Sequence, residues 1–123
     1  MKNEKELFRK LGIREGFGSY LDLIKSWSEI IEEIELGYNQ NYFELDYDLM
    51  VRDEIELLIK DEQYEKSKYY EKLIYEVNIL DKRFLTLIEF ISDKDINSSF
   101  WKRRLILKNA GIEYINSHPY IIK

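Results

Sequence analysis

The sequence contains no cysteine, one proline, five glycines and one histidine among its 123 residues. The lack of cysteine excludes a disulfide framework, a thiol nucleophile and a cysteine metal site. Because proline and glycine most often end or bend regular structure, their scarcity favours long uninterrupted elements. No apolar run approaches the roughly eighteen residues of a membrane-spanning helix, and the polar first residues do not form a secretory signal. We therefore expect a cytoplasmic protein without membrane contact.

Apolar residues recur at three- and four-residue intervals along most of the chain, a spacing typical of helices with one buried face. The pattern predicts an all-α fold, a compact bundle of about five helices in a single domain over residues 1–123. The predicted helices cover residues 4–11, Ser19 to Gly37, Asn41 to about Lys60, Ser67 to Phe90, and Phe100 to about Asn109. The tail after Gly111 is expected to end in an extended segment, Tyr120 to Ile122, that docks or pairs as a strand.

Acidic residues are concentrated in the middle of the chain. Residues 16–65 contain fourteen acids and three bases, a net charge of −11, whereas residues 1–15 and 66–123 have net charges of +2 and +4. A surface of one sign at this density speeds encounter with an oppositely charged partner. The same charge on a solvated face would only keep a small helical protein soluble. Both interpretations are open at the level of sequence.

Aromatic residues alternate with these acids, and aromatic side chains are frequent energetic anchors of protein interfaces. Most of the acids fall outside the apolar stripes of the second and third predicted helices, which places them on the surface. Phe43 is a candidate anchor among them. We predict that a basic protein partner binds a surface made of Asp22, Glu29, Glu32, Glu33, Tyr38, Tyr42, Asp46, Tyr47, Asp48, Glu54 and Glu56.

Few residues suit catalysis or metal binding. The sole histidine, His118, precedes a proline in the tail, where we do not expect it to be buried between two other groups as a catalytic base is. A zinc site would need a set of nitrogen or sulfur ligands that the sequence lacks. We therefore expect neither an enzyme nor a bound cofactor.

Two other chemistries are weaker alternatives. Acids on two predicted helices have some similarity to the magnesium ligands of all-helical nucleotide pyrophosphatases. The cluster Lys102-Arg103-Arg104, beside Phe100 and Trp101, is of a kind that contacts nucleic acid. Because the chain is acidic, with a pI near 5.0, we expect this cluster to contact the protein's own acidic helices or to cap the fifth helix, and we expect nucleic acid not to bind. The candidate magnesium ligands are Glu29, Glu32, Glu33, Asp53 and Glu56.

Charged residues interrupt two otherwise apolar helix faces. Arg52 and Asp53 lie within the third predicted helix, and Asp81 and Arg83 lie within the fourth. A charge near a buried face is costly unless it is paired. We predict that Arg52 or Asp53 forms an ion pair with Asp81 or Arg83 and so fixes the register of the two helices.

Three short motifs carry a resemblance to a known group of proteins. They are Asp48-Leu49-x-x-Arg52-Asp53, Leu80-Asp81-x-Arg83-Phe84 and Phe100-Trp101-x-x-Arg104, which together span about half of the chain. In this order they resemble small all-α immunity proteins of bacterial contact-dependent and polymorphic toxin systems. The resemblance implies a cytoplasmic, non-enzymatic protein that binds one cognate toxin, often a nuclease. It implies a shared scaffold and does not identify a binding surface.

The sequence therefore favours an immunity protein that neutralises a basic toxin through an acidic, tyrosine-rich surface. A helical adaptor with another partner and a magnesium-dependent nucleotide pyrophosphatase-like enzyme are the alternatives. A nuclease must present positive charge to hold phosphates, so an acidic surface would suit an inhibitor that covers its cleft.

Overall fold

The structure, a computed structural model, describes residues 3–121. The fold is mainly α, as predicted, and includes one small antiparallel sheet of two strands. Within the described range the elements are α1 (Glu4–Leu11), α2 (Tyr20–Glu35), α3 (Tyr42–Asp48), α4 (Met50–Lys60), α5 (Glu62–Glu65), α6 (Tyr70–Leu85), β1 (Ile88–Phe90), a 3-10 helix (Phe100–Lys102), β2 (Leu105–Leu107) and α7 (Ile112–Ser117).

The first two helices begin and end close to the predicted residues because the sequence encodes their caps. The Asn3 side chain accepts a hydrogen bond from the Lys5 amide, and Gly12 ends α1 with a φ of 82°. Ser19 caps α2, and the Asp22 carboxylate accepts hydrogen bonds from the backbone amides of Gly18 and Ser19. This reciprocal arrangement satisfies amides that the first turn of a helix leaves unpaired.

The predicted third helix is divided at Leu49 into α3 and α4. On a straight helix Val51, Ile55 and Leu58 would point about 120° away from Leu45 and Leu49. All five side chains are buried. A change of helix direction at Leu49 lets both apolar faces reach one core.

The prediction of helix was wrong for residues 86–90 and for the predicted fifth helix over residues 100–109. Helix α6 ends at Leu85, and the next residues form β1, which pairs antiparallel with β2 in the register Ile88 opposite Leu107. In the range predicted as a fifth helix, Phe100–Lys102 form a 3-10 turn and Leu105–Leu107 form β2. The buried residues of β2, Leu105 and Leu107, alternate as in a strand, but apolar spacing alone does not separate short strands from helix ends.

The tail forms a helix, α7, over residues for which no element was predicted, and Tyr120 and Ile121 of the predicted extended segment do not form a strand. The Tyr114 hydroxyl accepts a hydrogen bond from the Leu107 amide, and His118 Nε2 lies 2.8 Å from the Leu105 carbonyl oxygen. The tail thus covers the outer edge of β2, which would otherwise be open to pairing. Ile121 packs against the core, whereas Ile122 lies outside the described residues.

The core is centred on α2, which packs against α4 and α6. Its largest fully buried side chains are mostly aromatic, with Trp27, Tyr38, Tyr64, Tyr114 and Phe84 among them. Such rings supply large buried area in a small protein. No helix in the described part of the chain combines the length and apolarity needed to cross a bilayer.

Candidate protein-binding surface

A buried ionic network joins α2, α4 and α6. The Arg52 guanidinium donates to both carboxylate oxygens of Asp81 over 2.9 and 3.0 Å, and to Glu56 over 3.0 Å. Trp27 Nε1 donates to Asp81 over 3.1 Å, and the ring of Trp101 lies 4.1 Å from the Arg52 guanidinium carbon. The predicted ion pair between the two helices is confirmed in Arg52 and Asp81.

The other two members of that prediction have different partners. Asp53 accepts from Trp101 Nε1 over 2.8 Å and pairs with Lys102 over 3.1 Å. Arg83 pairs with Glu35 of α2 over 2.6 Å. The Lys102–Asp53 pair confirms that the basic cluster contacts the acidic helices of the protein itself.

Several of the predicted partner-binding residues have roles inside the fold. Tyr38 has no exposed surface and donates its hydroxyl proton to Asp48 over 2.9 Å, so its prediction as an interface anchor was wrong. Glu54 was also wrongly placed on the surface, because it is buried and accepts several hydrogen bonds from Arg14. Asp22 caps α2, and Glu56 is bound to Arg52 and Lys60.

The remaining predicted acids form a negative surface on α2 and α3. Glu29, Glu32 and Asp46 are exposed, whereas Glu33 and Asp48 are half-buried. Glu29 has only Lys25 nearby, at 4.0 Å. Five carboxylates of this surface have no lysine or arginine nitrogen within 4.0 Å in residues 3–121. They are Glu32, Glu33, Glu44, Asp46 and Asp48.

The protonation of Asp48 reflects this concentration of negative charge. Burial raises the pKa of Asp48 above its usual range, the hydrogen bond from Tyr38 opposes the rise, and the charges of Glu33 and Glu44 add to it. Burial and the neighbouring Asp48 raise the pKa of the Tyr38 phenol as well. The Tyr38–Asp48 pair therefore lies within the field of the Glu33 and Glu44 charges.

An exposed apolar ridge runs beside these carboxylates. Phe43, Tyr47 and Met50 are 67%, 55% and 42% exposed; the i, i+4 spacing places Phe43 and Tyr47 on one face of α3, and Met50 is the first residue of α4. Tyr42 is half-buried, with its ring against Phe43 and His118. We call this region the α3 surface: Phe43, Tyr47 and Met50 with Glu33, Glu44, Asp46 and Asp48.

Two members of the α3 surface, Glu44 and Met50, were not among the residues predicted to bind a partner. Glu44 also belongs to the cap of α3, because the Asn41 side chain accepts a hydrogen bond from the Glu44 amide. The spacing of Met50 from Phe43 and Tyr47, outside the core stripe, was the signal that could have identified it.

A depression of about 260 Å³ adjoins the α3 surface. Asp46 and Met50 line one side, and Trp101 and Arg103 line the other. The Arg103 Nε atom is buried and has no hydrogen-bond acceptor within residues 3–121. The depression is thus a concave site beside the exposed ridge, and the Arg103 guanidinium carbon itself lies 3.8 Å from the centre of the Phe90 ring.

His118 is fully buried, contrary to the expectation for a residue of the tail. Its Nδ1 accepts from the Tyr120 amide over 3.1 Å, and its Nε2 lies against the Leu105 carbonyl. This pair of contacts assigns the proton to Nε2 and engages both ring nitrogens. The geometry makes His118 a structural residue that holds the tail on β2.

The candidate magnesium ligands do not converge. Asp53 and Glu56 are bound to Lys102 and Arg52, and Glu29 and Glu32 point into solvent. In the described part of the chain, no three acidic or histidine side chains gather as a metal site requires.

Comparisons with known proteins give no relative from which a function could be transferred. No protein-family model, curated protein or solved structure matches the chain.

Proposed function

We propose that this protein is a non-enzymatic immunity protein that neutralises a basic protein toxin, and that the α3 surface is its binding face. The observation that carries the proposal is the combination of an exposed apolar ridge with carboxylates that form no ion pair within 4.0 Å in residues 3–121; Arg14, which donates to the Tyr47 hydroxyl, is paired with Glu54. The motif resemblance to immunity proteins supports a toxin as the partner.

The two components of the α3 surface have separate physical roles. Phe43 and Tyr47 are large exposed rings on a short helix, and burial of such rings under a partner supplies most of the binding energy at many interfaces. The carboxylates Glu33, Glu44, Asp46 and Asp48 attract a basic partner over a distance and repel acidic ones. A toxin that acts on nucleic acid has the complementary positive surface.

Co-expression with the product of the neighbouring gene tests the proposal. We expect the two proteins to co-purify and the cells to survive the neighbouring protein only when this protein is present. Charge reversal by Glu44→Lys with Asp46→Lys should reduce the association rate about ten-fold or more, with a matching loss of protection.

The matched control reverses two exposed acids elsewhere, Glu65→Lys with Glu89→Lys. It changes the net charge by the same amount but leaves the α3 surface intact. Equal binding and protection by both double variants would contradict the proposed face. Tight binding without protection would instead indicate the adaptor alternative.

A further inference from the structure

The depression beside the α3 surface contains a carboxylate that is held in place by a buried ring. Asp53 Oδ1 accepts a hydrogen bond from Trp101 Nε1 over 2.8 Å, and the Trp101 side chain is itself buried. No hydrogen bond within residues 3–121 reaches the second oxygen, Oδ2. The Asp53 side chain is 41% exposed, so a partner can reach it. Asp53 is therefore a fixed acceptor with one oxygen still available.

Two acids and two bases line the depression, and their engagement differs. Asp46 is exposed and has no basic nitrogen within 4.0 Å in the described residues. Lys102 Nζ lies 3.1 Å from Asp53 Oδ1, but the Lys102 side chain is 58% exposed, and exposed ion pairs are weak. The Arg103 guanidinium is stacked on the Phe90 ring. The acceptors open to a new cation are thus Asp46 and Asp53 Oδ2.

The size and the walls of the depression restrict what can enter it. Its volume of about 260 Å³ lies below the roughly 300–1,000 Å³ of pockets that hold drug-sized ligands, so it suits a single side chain. Leu49, Met50 and Trp101 give it an apolar wall. A long basic side chain can lay its methylene stem along such a wall and bring its charged head to a carboxylate.

We propose that this depression, which we call the Asp53 pocket (Asp46, Leu49, Met50, Asp53 and Trp101), receives an arginine side chain of the basic partner. The inference rests on the proposed function and names one residue that the partner presents. The guanidinium donates to Asp53 Oδ2, and Asp46 adds a second negative charge. Arginine suits the pocket because its planar head has five N–H donors and is less strongly hydrated than an ammonium group. Lys102 is then an internal competitor for Asp53.

Nuclear magnetic resonance with a short peptide tests the pocket without any toxin. The probe is an acetylated, amidated Gly-Arg-Gly peptide, and the control peptide has uncharged citrulline in place of arginine. We expect the Nε1–H signal of Trp101 to shift with a Kd on the order of 1 mM. The Nε1–H signal of Trp27, which is bonded to Asp81 in the buried network, should stay in place. Equal shifts of Trp101 with both peptides would overturn the proposal.

Two matched pairs of variants assign peptide binding to Asp53. Asp53→Asn keeps an oxygen for Trp101 Nε1 but removes the charge, so it should abolish the shift, whereas Asp93→Asn removes an exposed acid elsewhere and should retain it. Lys102→Ala should tighten peptide binding about two- to five-fold, the range open to a weak exposed pair. Lys108→Ala removes an equal charge outside the pocket and should not. The same affinity in both members of either pair would contradict the site.

The complex with the product of the neighbouring gene separates this inference from the proposed function. Asp53→Asn should raise the dissociation rate of that complex more than Asp93→Asn does. If the neighbouring protein does not bind the wild type, the proposed function fails, and the peptide titration still decides whether the pocket takes arginine. If it binds and the two variants dissociate equally, only the role of the Asp53 pocket is overturned.

Discussion

Arg52 is a buried cation whose charge is balanced from two helices. Its side chain is 6% exposed, and it lies between Asp81 of α6 and Glu56 of its own helix. Removal of one partner from a buried ion pair leaves an uncompensated charge. The free-energy penalty of that charge is larger than the stability that the intact pair contributes. The network thus fixes the relative position of α4 and α6 more than it adds net stability.

We predict that Asp81→Ala lowers the free energy of unfolding by about 3–5 kcal/mol, because it leaves Arg52 buried without its main acceptor. Arg83→Ala is the matched control, since its pair with Glu35 is 38% exposed on both sides. Exposed pairs contribute about 0–1 kcal/mol. Urea denaturation of both variants measures the difference, and similar losses in the two would show that the Arg52 network is not buried.

Ionisation of Asp48, in the α3 surface, lowers the stability of the folded protein in a pH-dependent way. Burial raises its pKa in the folded protein above that of the unfolded chain, with Glu33 and Glu44 adding to the rise. Between those two pKa values the folded state binds more protons, so stability falls as pH rises through the interval. Above the pKa of Asp48 in the folded protein, the loss of stability caused by its ionisation is complete.

We therefore expect Asp48→Asn to be more stable than the wild type at neutral pH. Asparagine removes the negative charge and retains an oxygen that can accept from Tyr38. The gain should vanish below the ordinary aspartate pKa of about 3.9, where both chains carry a neutral side chain. Denaturation midpoints across that range measure it, and a difference that does not vary with pH would contradict the assignment to Asp48 ionisation.

Single residues differ in how far the sequence determines their place. Arg52 and Asp81 could be predicted to pair because an isolated charge within an apolar stripe needs a partner. Tyr38 and Glu54 could not be placed correctly, since each combines a polar end with enough apolar surface for either environment. Their burial depends on Asp48 and Arg14, which reach them only in the folded chain.

At the scale of elements, local signals determined α1 and α2. Asn3, Ser19 and Gly12 act on their own neighbours in the chain, so the ends of these helices could be predicted. The hairpin could not, because β1 and β2 are three residues each and pair across 14 intervening residues. Such short strands depend on partners distant in sequence and have no strong pattern of their own.

Helix α7 protects the edge of that hairpin. The Tyr114 ring is fully buried, and burial raises its pKa to about 12. Its hydroxyl is the acceptor for the Leu107 amide, which faces away from β1. The tail thus takes the place of a third strand.

We predict that Tyr114→Phe costs about 1–3 kcal/mol, because it leaves the buried Leu107 amide without an acceptor. Hydrogen exchange at Leu107 should accelerate more than exchange at Lys108, whose amide donates to Leu87 across the hairpin. Tyr75→Phe, on an exposed ring, is the control and should change stability by no more than about 0.5 kcal/mol. Equal exchange at both amides would argue against a specific role of Tyr114 at the edge.

At the scale of the whole molecule, negative charge is concentrated in one region of the surface. The acidic middle of the sequence predicted a negative region, and Glu32, Glu44 and Asp46 lie exposed there. The apolar ridge within it was only partly predictable, because the bend at Leu49 decides which side chains α3 leaves exposed.

The α3 surface should separate the rate of encounter from the lifetime of the complex. Phe43→Ala and Tyr47→Ala are each expected to raise the dissociation rate from the cognate partner about ten-fold, equivalent to about 1.4 kcal/mol, since these rings make contact only after docking. The association rate and its steep decrease with salt should stay unchanged, because screening acts on the carboxylates over a Debye length of about 8 Å. Ile96→Ala, on a side chain of similar exposure outside this surface, is the control. Surface plasmon resonance at several salt concentrations measures both rates, and dissociation as slow in Phe43→Ala as in Ile96→Ala would remove α3 from the interface.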